Sequence, residues 1–266
     1  MRGGGCSDLG LGMRAWALAG ALLAGPAWPQ DPLATRAGWE LGGQLAQYRY
    51  EEPGLMELEG PRLGVSVAWS ATTPRRAFAR LEGRFSYGAL DYRGSGTLTD
   101  VPDYLLEGRL LAGRDYGDDR LRWSPYVGGG VRYLYNDLRG VSSSGAIGYR
   151  RESTYFYVPL GVTLRARLAA GWVLAPLIEY DAFVRGTQRS YLSDTGLGLG
   201  DVTNRQSRGR GWRATLMFES RRWSVGPWLH FWDVDDSDLQ PVAPGIAVYE
   251  PANETREAGV ELRYRF

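Results

Sequence analysis

The sequence predicts an all-β protein, a transmembrane antiparallel up-and-down β-barrel of about ten strands. Three observations predict it. Ten segments between residues 38 and 266 alternate apolar and polar side chains, the period of strands with one face in an apolar medium. The joints between these segments alternate between long and short, and Trp and Tyr collect at opposite ends of the segments. A barrel that meets two membrane interfaces has this organisation.

Residues 1–27 are predicted to be a signal peptide. Arg14 precedes an apolar run from Ala15 to Ala24, and Gly25-Pro26-Ala27 supplies the small residues of a cleavage site. The apolar run is too short to span a bilayer as a helix. Met13 is a second candidate start, because the residues before it add nothing that a signal peptide needs.

The mature chain is predicted to be a short periplasmic segment, 28–37, followed by the barrel, 38–266. Cys6 is the single cysteine of the sequence and lies in the leader, so we expect no disulfide and no thiolate metal site after processing. The formal net charge of +1 gives no argument for a nucleic-acid partner.

The alternation is clearest in segments such as Leu63–Trp69, Leu81–Tyr87 and Ala258–Phe266, where one parity is apolar and the other polar or small. Such a pattern also fits a soluble β-sandwich. The joints favour the barrel, because no joint breaks the alternation of lengths. The predicted strands are 38–50, 62–69, 80–87, 103–115, 121–136, 150–168, 172–181, 212–219, 222–232 and 258–266. The predicted long joints are 51–58, 91–102, 137–149, 186–206 and 233–255, and the predicted short ones are 71–75, 116–120, 169–171 and 220–222.

The aromatic residues are sorted by position in the predicted strands. One set of tryptophans lies beside the short turns: Trp39, Trp69, Trp123, Trp172 and Trp223. A set of tyrosines lies towards the long joints: Tyr87, Tyr104, Tyr135 and Tyr180. Two such levels predict the aromatic girdles that flank the apolar band of a membrane barrel.

The last segment carries a resemblance. Val260, Leu262, Tyr264 and Phe266 share the apolar parity, and the sequence ends on Phe266. This ending resembles the C-terminal strand of Gram-negative outer-membrane β-barrel proteins. The resemblance implies that Tyr264 and Phe266 form part of the signal that the barrel-assembly machinery reads, with periplasmic chaperones as partners during export. It also implies an outer-membrane location among outer-membrane lipids and lipopolysaccharide.

The polar parity of the strands predicts side chains that point into the lumen. Acids and arginines of both signs alternate there at close spacing, so we expect them to pair across the lumen and mostly plug it. The candidates are Arg80, Glu82, Arg84, Glu107, Arg109, Arg132, Glu179, Asp181, Arg213, His230, Glu261 and Arg263.

His230, the single histidine of the sequence, is the main candidate for a catalytic general base. Outer-membrane proteases of the omptin type use an Asp and a His two residues apart, whereas Asp233 is three residues from His230. Lipid A deacylases use a His-Ser pair, and Phe231 follows His230 here. These mismatches favour a lumenal histidine that hydrogen-bonds an acid, near the outer rim, so no catalytic residue is predicted.

Three loop motifs have simple interpretations. The acidic run Asp233, Asp235, Asp236 and Asp238 lacks the spacing of a calcium loop, so a solvated loop is favoured over a metal site. The run 196–201 follows a strand without opening a helix, so it does not predict a phosphate-binding loop or a cofactor. The arginines Arg205, Arg208, Arg210 and Arg213 could meet lipopolysaccharide phosphates or pair inward with acids.

The sequence therefore predicts a non-enzymatic outer-membrane barrel that displays long extracellular loops for adhesion or binding, or that supports the envelope. Two alternatives stay open at this stage: a narrow channel for small polar solutes, and an envelope enzyme that uses His230. The ligand of the loops is not identified by the sequence.

Overall fold

A computed structural model describes residues 31–243 and 245–266. Within these ranges the chain forms fourteen strands and two short 3-10 helices, Ala169–Gly171 and Leu192–Thr195. The strands are β1 (Gly38–Glu52), β2 (Met56–Thr72), β3 (Ala77–Gly94), β4 (Gly96–Arg114), β5 (Tyr116–Gly117), β6 (Leu121–Val141), β7 (Ile147–Arg167), β8 (Val173–Ser190), β9 (Val202–Gln206), β10 (Gly209–Glu219), β11 (Trp223–Val234), β12 (Gln240–Ala243), β13 (Ile246–Val248) and β14 (Asn253–Arg265). The predicted signal peptide, residues 1–27, lies outside the described residues.

Ten long strands close into a single barrel. The order around the barrel is β1, β2, β3, β4, β6, β7, β8, β10, β11 and β14, and every neighbouring pair is antiparallel. The ring closes where β14 pairs with β1 from Glu40↔Arg265 to Glu51↔Glu254. The prediction of an all-β, up-and-down barrel of about ten strands is confirmed. Closure leaves the barrel without a free edge strand.

The outer wall carries an apolar band of membrane thickness. On β3, every outward side chain from Ala77 to Ala89 is uncharged, and the next outward residues are Asp91 and Arg93. Twelve steps of ~3.3 Å at the usual strand tilt rise about 30 Å, close to the height of the apolar band of outer-membrane barrels. The apolar parity of the sequence is therefore the lipid-facing wall.

Aromatic side chains mark the two edges of this band. Trp39 and Trp69 face each other at 6.5 Å between ring centroids, next to the end of the barrel where β1 begins. Tyr87, Tyr104 and Tyr135 occupy one row across β3, β4 and β6, and the last two stack at 4.7 Å. These are the levels at which amphipathic rings meet lipid headgroups.

The two ends of the barrel differ. We call the end that holds residues 31–37, Phe266 and four turns the terminal rim, and the opposite end the loop rim. The turns of the terminal rim are short because local hydrogen bonds close them. Asp118, for example, accepts hydrogen bonds from the backbone N–H groups of Arg120 and Leu121 at 2.8 and 3.1 Å. These backbone hydrogen bonds lower the pKa of the Asp118 carboxyl.

The loop rim differs from the sequence prediction at three of its five connections. The joints predicted at 51–58, 91–102 and 137–149 are mostly extensions of the strands, which turn back through Pro53–Leu55, Ser95 and Ser142–Ala146. In the first, Leu55 N–H donates to the carbonyl of Glu52 at 2.9 Å, and Gly54 has a φ of 77°. The Pro-Gly order suits a type II turn, which a count of joint length alone does not detect.

The other two connections of the loop rim are longer and less regular. Residues 191–208 contain a 3-10 helix and β9, which pairs with the end of β8. Residues 235–252 contain the small hairpin of β12 and β13. The prediction of five long loops is thus wrong for three connections and right for these two. No helix in the described ranges is both long and apolar enough to cross a bilayer.

Candidate functional site

The lumen is the candidate site, because the structure places all twelve predicted polar side chains on the inner wall. Glu107 of β4 is one centre of this network. Its carboxylate accepts hydrogen bonds from Arg213 Nη2 at 2.9 Å and Tyr157 OH at 2.7 Å, and lies 3.3 Å from Arg84 Nε. Side chains from three other strands, β3, β7 and β10, therefore meet at the Glu107 carboxylate.

A second centre is Glu257 of β14, which is not among the lumenal residues predicted from the sequence. It accepts two hydrogen bonds from Arg84, at 3.0 and 3.1 Å, and one from Arg132 at 3.0 Å. All three side chains are nearly excluded from solvent. Glu257 lies on the same parity as Glu261, so extending the alternation of the last strand by two residues beyond Gly259 would have found it.

The network continues towards the terminal rim. Glu179 accepts a hydrogen bond from Arg109 Nη1 at 2.5 Å and lies 3.1 Å from Arg213 Nε. Arg109 also binds Glu82 at 2.6 Å, and Glu82 in turn binds Arg80 at 2.6 Å. A chain of alternating charges thus runs down the inside of β3, β4 and β8.

The last pair of predicted residues lies on β14. Arg263 Nη2 donates to Glu261 at 2.6 Å, and Ser66 Oγ and Gln44 Nε2 donate to the same carboxylate at 2.5 and 2.9 Å. This carboxylate is satisfied by side chains of β1, β2 and β14 at the seam where the barrel closes.

His230 faces the lumen, and it lies deeper in the barrel than the position near the outer rim that the sequence predicts. Its Nε2 lies 3.2 Å from Asp181 Oδ2, and the guanidinium groups of Arg132 and Arg213 lie 3.4 Å from its two ring nitrogens. The side chain is 1% exposed. A general base must reach the proton that it abstracts, and this imidazole has no open face for a substrate.

Above the polar network, towards the loop rim, the lumen is filled by an apolar layer. Tyr48, Tyr50, Leu58 and Leu90 form one buried cluster with Val101 and Leu138. A second cluster contains Leu105, Leu134, Tyr155, Tyr157, Trp232 and Val234. The side chains of these two clusters are shielded from solvent and fill much of the loop-rim half of the lumen.

Charged groups are embedded in this apolar layer. Arg62 pairs with Asp103 and lies over the ring of Tyr48, with 3.2 Å between the guanidinium carbon and the ring centroid. Asn136 donates to the other oxygen of Asp103. Because Arg62 and Asp103 are both fully buried, each depends on the other for charge compensation.

The connection 235–252 is fastened to the loop rim by a buried carboxylate. Arg151 Nη2 donates to Glu52 at 2.5 Å and also to Glu250, which lies in this connection. Tyr50 OH donates to Glu52 at 2.9 Å. Burial raises the pKa of the Glu250 carboxyl to about 7, although the charge of Arg151 opposes the shift. We call Glu52, Arg151 and Glu250 the rim latch.

The terminal rim is closed by residues 31–37, which we call the strap. The strap enters β1, yet Asp31 binds Arg122 Nη1 of β6 at 2.6 Å, almost opposite β1 in the ring. Thr35 donates through its backbone N–H and its hydroxyl to Asp115, both at 2.8 Å. Leu33 is fully buried. The strap therefore spans the mouth of the barrel, a closure that the sequence gives no signal for.

Tyr264 and Phe266 lie on the outer wall, with 5.1 Å between their ring centroids. The ring of Tyr264 also meets Trp223 at 4.9 Å, and Phe266 is 73% exposed. Phe266 N–H donates to the carbonyl of Trp39 at 3.0 Å, which continues the pairing of β14 with β1. Both rings face the lipid at the terminal rim.

Charged residues at and just beyond the loop-rim ends of β10 and β11 pair with each other on the outside. Arg208 Nε lies 3.0 Å from Asp235, and Arg210 Nη2 lies 2.8 Å from Asp233. Arg210 faces outward, which corrects the alternative that it points inward, whereas Arg213 faces the lumen. Among the described residues, no three His, Cys, Asp or Glu side chains come together at metal-binding spacing.

Comparisons with known proteins agree with this architecture. No family model matches the chain, and no curated protein matches it in sequence. The outer-membrane protease OmpT from Escherichia coli is similar in structure, with a TM-score of 0.53, 13% identity and coverage of 86% of this chain and 96% of that one. At this identity the likeness shows the fold alone.

Two further solved structures are similar at a lower level. The attachment invasion locus protein Ail of Yersinia pestis has a TM-score of 0.34 and 10% identity, and covers 86% of this chain and 99% of its own. The β-domain of the Bordetella autotransporter BrkA has a TM-score of 0.38 and 14% identity, with the same coverage. These scores are too low to carry an argument about function. The chain has the closed antiparallel β-barrel fold of Gram-negative outer-membrane proteins.

Proposed function

We propose that the mature protein is a plugged outer-membrane barrel that presents its loop rim at the cell surface, as a binding or adhesive surface. The observation that carries this proposal is the filling of the lumen at three levels. The strap lies across the terminal rim, ion pairs fill the middle, and two apolar clusters fill the loop-rim half. A barrel filled in this way acts through the surface that it displays.

The loop rim is suited to such a role. Strands β2, β3, β4, β6 and β7 continue beyond the apolar band, and several of the outward side chains there are charged, as in Glu57, Asp91 and Arg139. The two irregular connections, 191–208 and 235–252, stand on this rigid base. Binding residues are often carried by loops on a rigid scaffold.

A transport role has less support, because buried apolar side chains occupy the loop-rim half of the lumen and the cavities among its charged residues are small, at about 90 and 40 Å³. An enzymatic role based on His230 also has less support. The imidazole is enclosed by Asp181, Arg132 and Arg213 and has no open face.

Several partners follow from the proposed location. The outward band contacts outer-membrane lipids, and the exposed arginines Arg208 and Arg210 meet lipopolysaccharide phosphates in exchange for their aspartate partners. The barrel-assembly machinery recognises Tyr264 and Phe266 on the outer wall, after periplasmic chaperones have delivered the exported chain.

The surface role is tested by replacing residues 191–201 with a short Gly-Ser linker. This range excludes the ends of β8 and β9, so the barrel keeps its paired strands. Expressing cells are compared for attachment to bare plastic and to fibronectin-coated and collagen-coated surfaces. We expect the intact protein to raise attachment to at least one surface and the trimmed protein to lose that gain while its folded barrel still shifts on an unboiled gel. Equal attachment by intact, trimmed and non-expressing cells would refute the surface role.

A further inference from the structure

A cavity of about 90 Å³ lies inside the lumen between the strap and the central ion pairs. Its lining is rich in positive charge. Six arginines contribute to it: Arg36, Arg80, Arg109, Arg165, Arg263 and Arg265. Three carboxylates face them, from Glu40, Glu82 and Glu219. Even with Glu179 and Glu261, which pair with Arg109 and Arg263 from outside the lining, positive groups outnumber negative ones.

Two of these arginines have hydrogen-bond donors that no described residue accepts. Arg265 donates hydrogen bonds from Nε and Nη2 to Glu40, at 2.8 and 2.5 Å, and its buried Nη1 has no acceptor among the described residues. Arg165 donates a hydrogen bond from Nη1 to Ser124 Oγ at 3.2 Å. Its buried Nε is 3.5 Å from Glu219, outside hydrogen-bond geometry. Buried donors without an acceptor are costly, so such a site favours an acceptor that enters it.

The strap adds a cation that lacks a carboxylate partner. In the described part of the chain, Arg36 has no carboxylate within 4.0 Å, and it donates instead to the carbonyls of Ser220 at 2.8 Å and Pro32 at 3.1 Å. Burial and the charge of Arg265 lower the pKa of Arg36 to about 10, so it stays protonated at neutral pH. Arg36 therefore closes the cavity with a positive group.

We propose that this cavity is a binding site for a small inorganic oxyanion, phosphate or sulfate, which enters from the terminal rim. A tetrahedral oxyanion fits the volume, and its oxygens supply acceptors for Arg165 Nε and Arg265 Nη1. Guanidinium groups bind such anions through charge-assisted hydrogen bonds of fixed geometry. The bound anion joins the strap to the barrel wall, so it stabilises the closed terminal rim. This site is separate from the surface role proposed above.

The test uses the purified full-length mature barrel in detergent micelles. Its thermal unfolding midpoint is followed while phosphate replaces chloride at constant ionic strength. We expect a saturable rise in the midpoint, because a ligand of the folded state stabilises it by mass action. A general effect of phosphate on protein solvation would instead raise the midpoint steadily, without saturation. A rise that does not saturate, or none beyond chloride, overturns the proposal.

Matched variants locate the site. Arg165→Gln is expected to weaken the apparent affinity for phosphate at least about tenfold, the loss expected for one charge-assisted hydrogen bond. Arg167→Gln is the control, because Arg167 lies on the same strand, is 48% exposed and does not line the cavity. Arg36→Gln gives a second test that leaves the barrel strands unchanged if the Arg165 variant fails to fold. Equal affinity in the Arg36 variant, the control and the wild type overturns the proposal.

Discussion

Replacing Glu257 by glutamine removes one negative charge from the lumen and almost no volume. Glu257 accepts three hydrogen bonds from Arg84 and Arg132, at 3.0 to 3.1 Å. In the variant, Arg84 still has a second carboxylate partner, Glu107, at 3.3 Å. Arg132, which is fully buried, keeps no carboxylate within 4.0 Å among the described residues. The substitution therefore leaves one buried guanidinium group uncompensated.

The size of the effect follows from burial. Removing one member of a buried ion pair costs roughly 3–5 kcal/mol, since the remaining charge stays desolvated. Glu254 provides a matched control on the same strand. It binds Arg256 at 2.6 Å on the outer wall, where the two side chains are 32% and 60% exposed. Exposed pairs contribute about 0–1 kcal/mol, so Glu254→Gln should change the free energy of unfolding by no more than that.

Urea unfolding of the barrel in lipid vesicles, followed by Trp fluorescence and by gel migration, measures both variants. We expect a loss of about 3 kcal/mol for Glu257→Gln, of which adding Arg132→Met restores a part, because the second change removes the unpaired charge. Equal small losses for Glu257→Gln and Glu254→Gln would refute the ion-paired lumen.

Three further predictions concern other parts of the barrel. Glu250 has a pKa of about 7 in the rim latch and an ordinary, lower pKa when the connection is released, so the latch is strongest below pH ~4.5 and weakens as pH rises through 7. Protease cleavage within 235–252 should therefore be faster at pH 8 than at pH 5, and Glu250→Gln should remove the difference. Gly130→Val should destabilise the barrel by about 1–3 kcal/mol, because a Cβ there would meet the ring of Tyr157, whereas Gly129→Val meets nothing within 4 Å and should be tolerated; equal urea midpoints would contradict this. Deleting Phe266 should lower the assembled fraction in cells several-fold but change the stability of the purified barrel by less than about 1 kcal/mol, because the ring is exposed; unchanged assembly would argue against its role as a signal.

The alternation of side chains in the sequence predicts the barrel well, because strand geometry places successive residues on opposite faces. Leu81, Phe85 and Tyr87 face outward, and Arg84 faces inward. The strands predicted from this alternation stop short of the loop rim, as β2 and β3 show. Beyond residue 47 on β1 the apolar parity changes sides, so that Tyr48 and Tyr50 point inward.

This change of parity has a physical cause. Above the lipid, the outside of the barrel meets water and the inside still has to be filled, so apolar residues move to the inner face. The same reversal occurs on β2, where Leu58 is buried and Glu57 and Glu59 face outward. It marks the outer boundary of the membrane in the sequence and explains why these segments do not resemble lipid-facing strands.

The remaining features of the site depend on pairings across the barrel. Arg132 and Glu257 are 125 residues apart, and their contact exists only because four strands bring β6 and β14 to a common lumen. The strap depends on Asp31 reaching Arg122, a contact with no local signature. Periodicity gives the face on which a side chain lies, but it does not give the partner across the lumen.

Single-channel recording tests most directly whether the filled lumen blocks the passage of ions across the membrane. The purified barrel is inserted into planar bilayers at neutral pH under an applied voltage. The filled lumen predicts no discrete conductance steps, even though insertion is confirmed by gel migration of the recovered protein. Reproducible unitary steps of constant size would contradict it and would favour a polar channel.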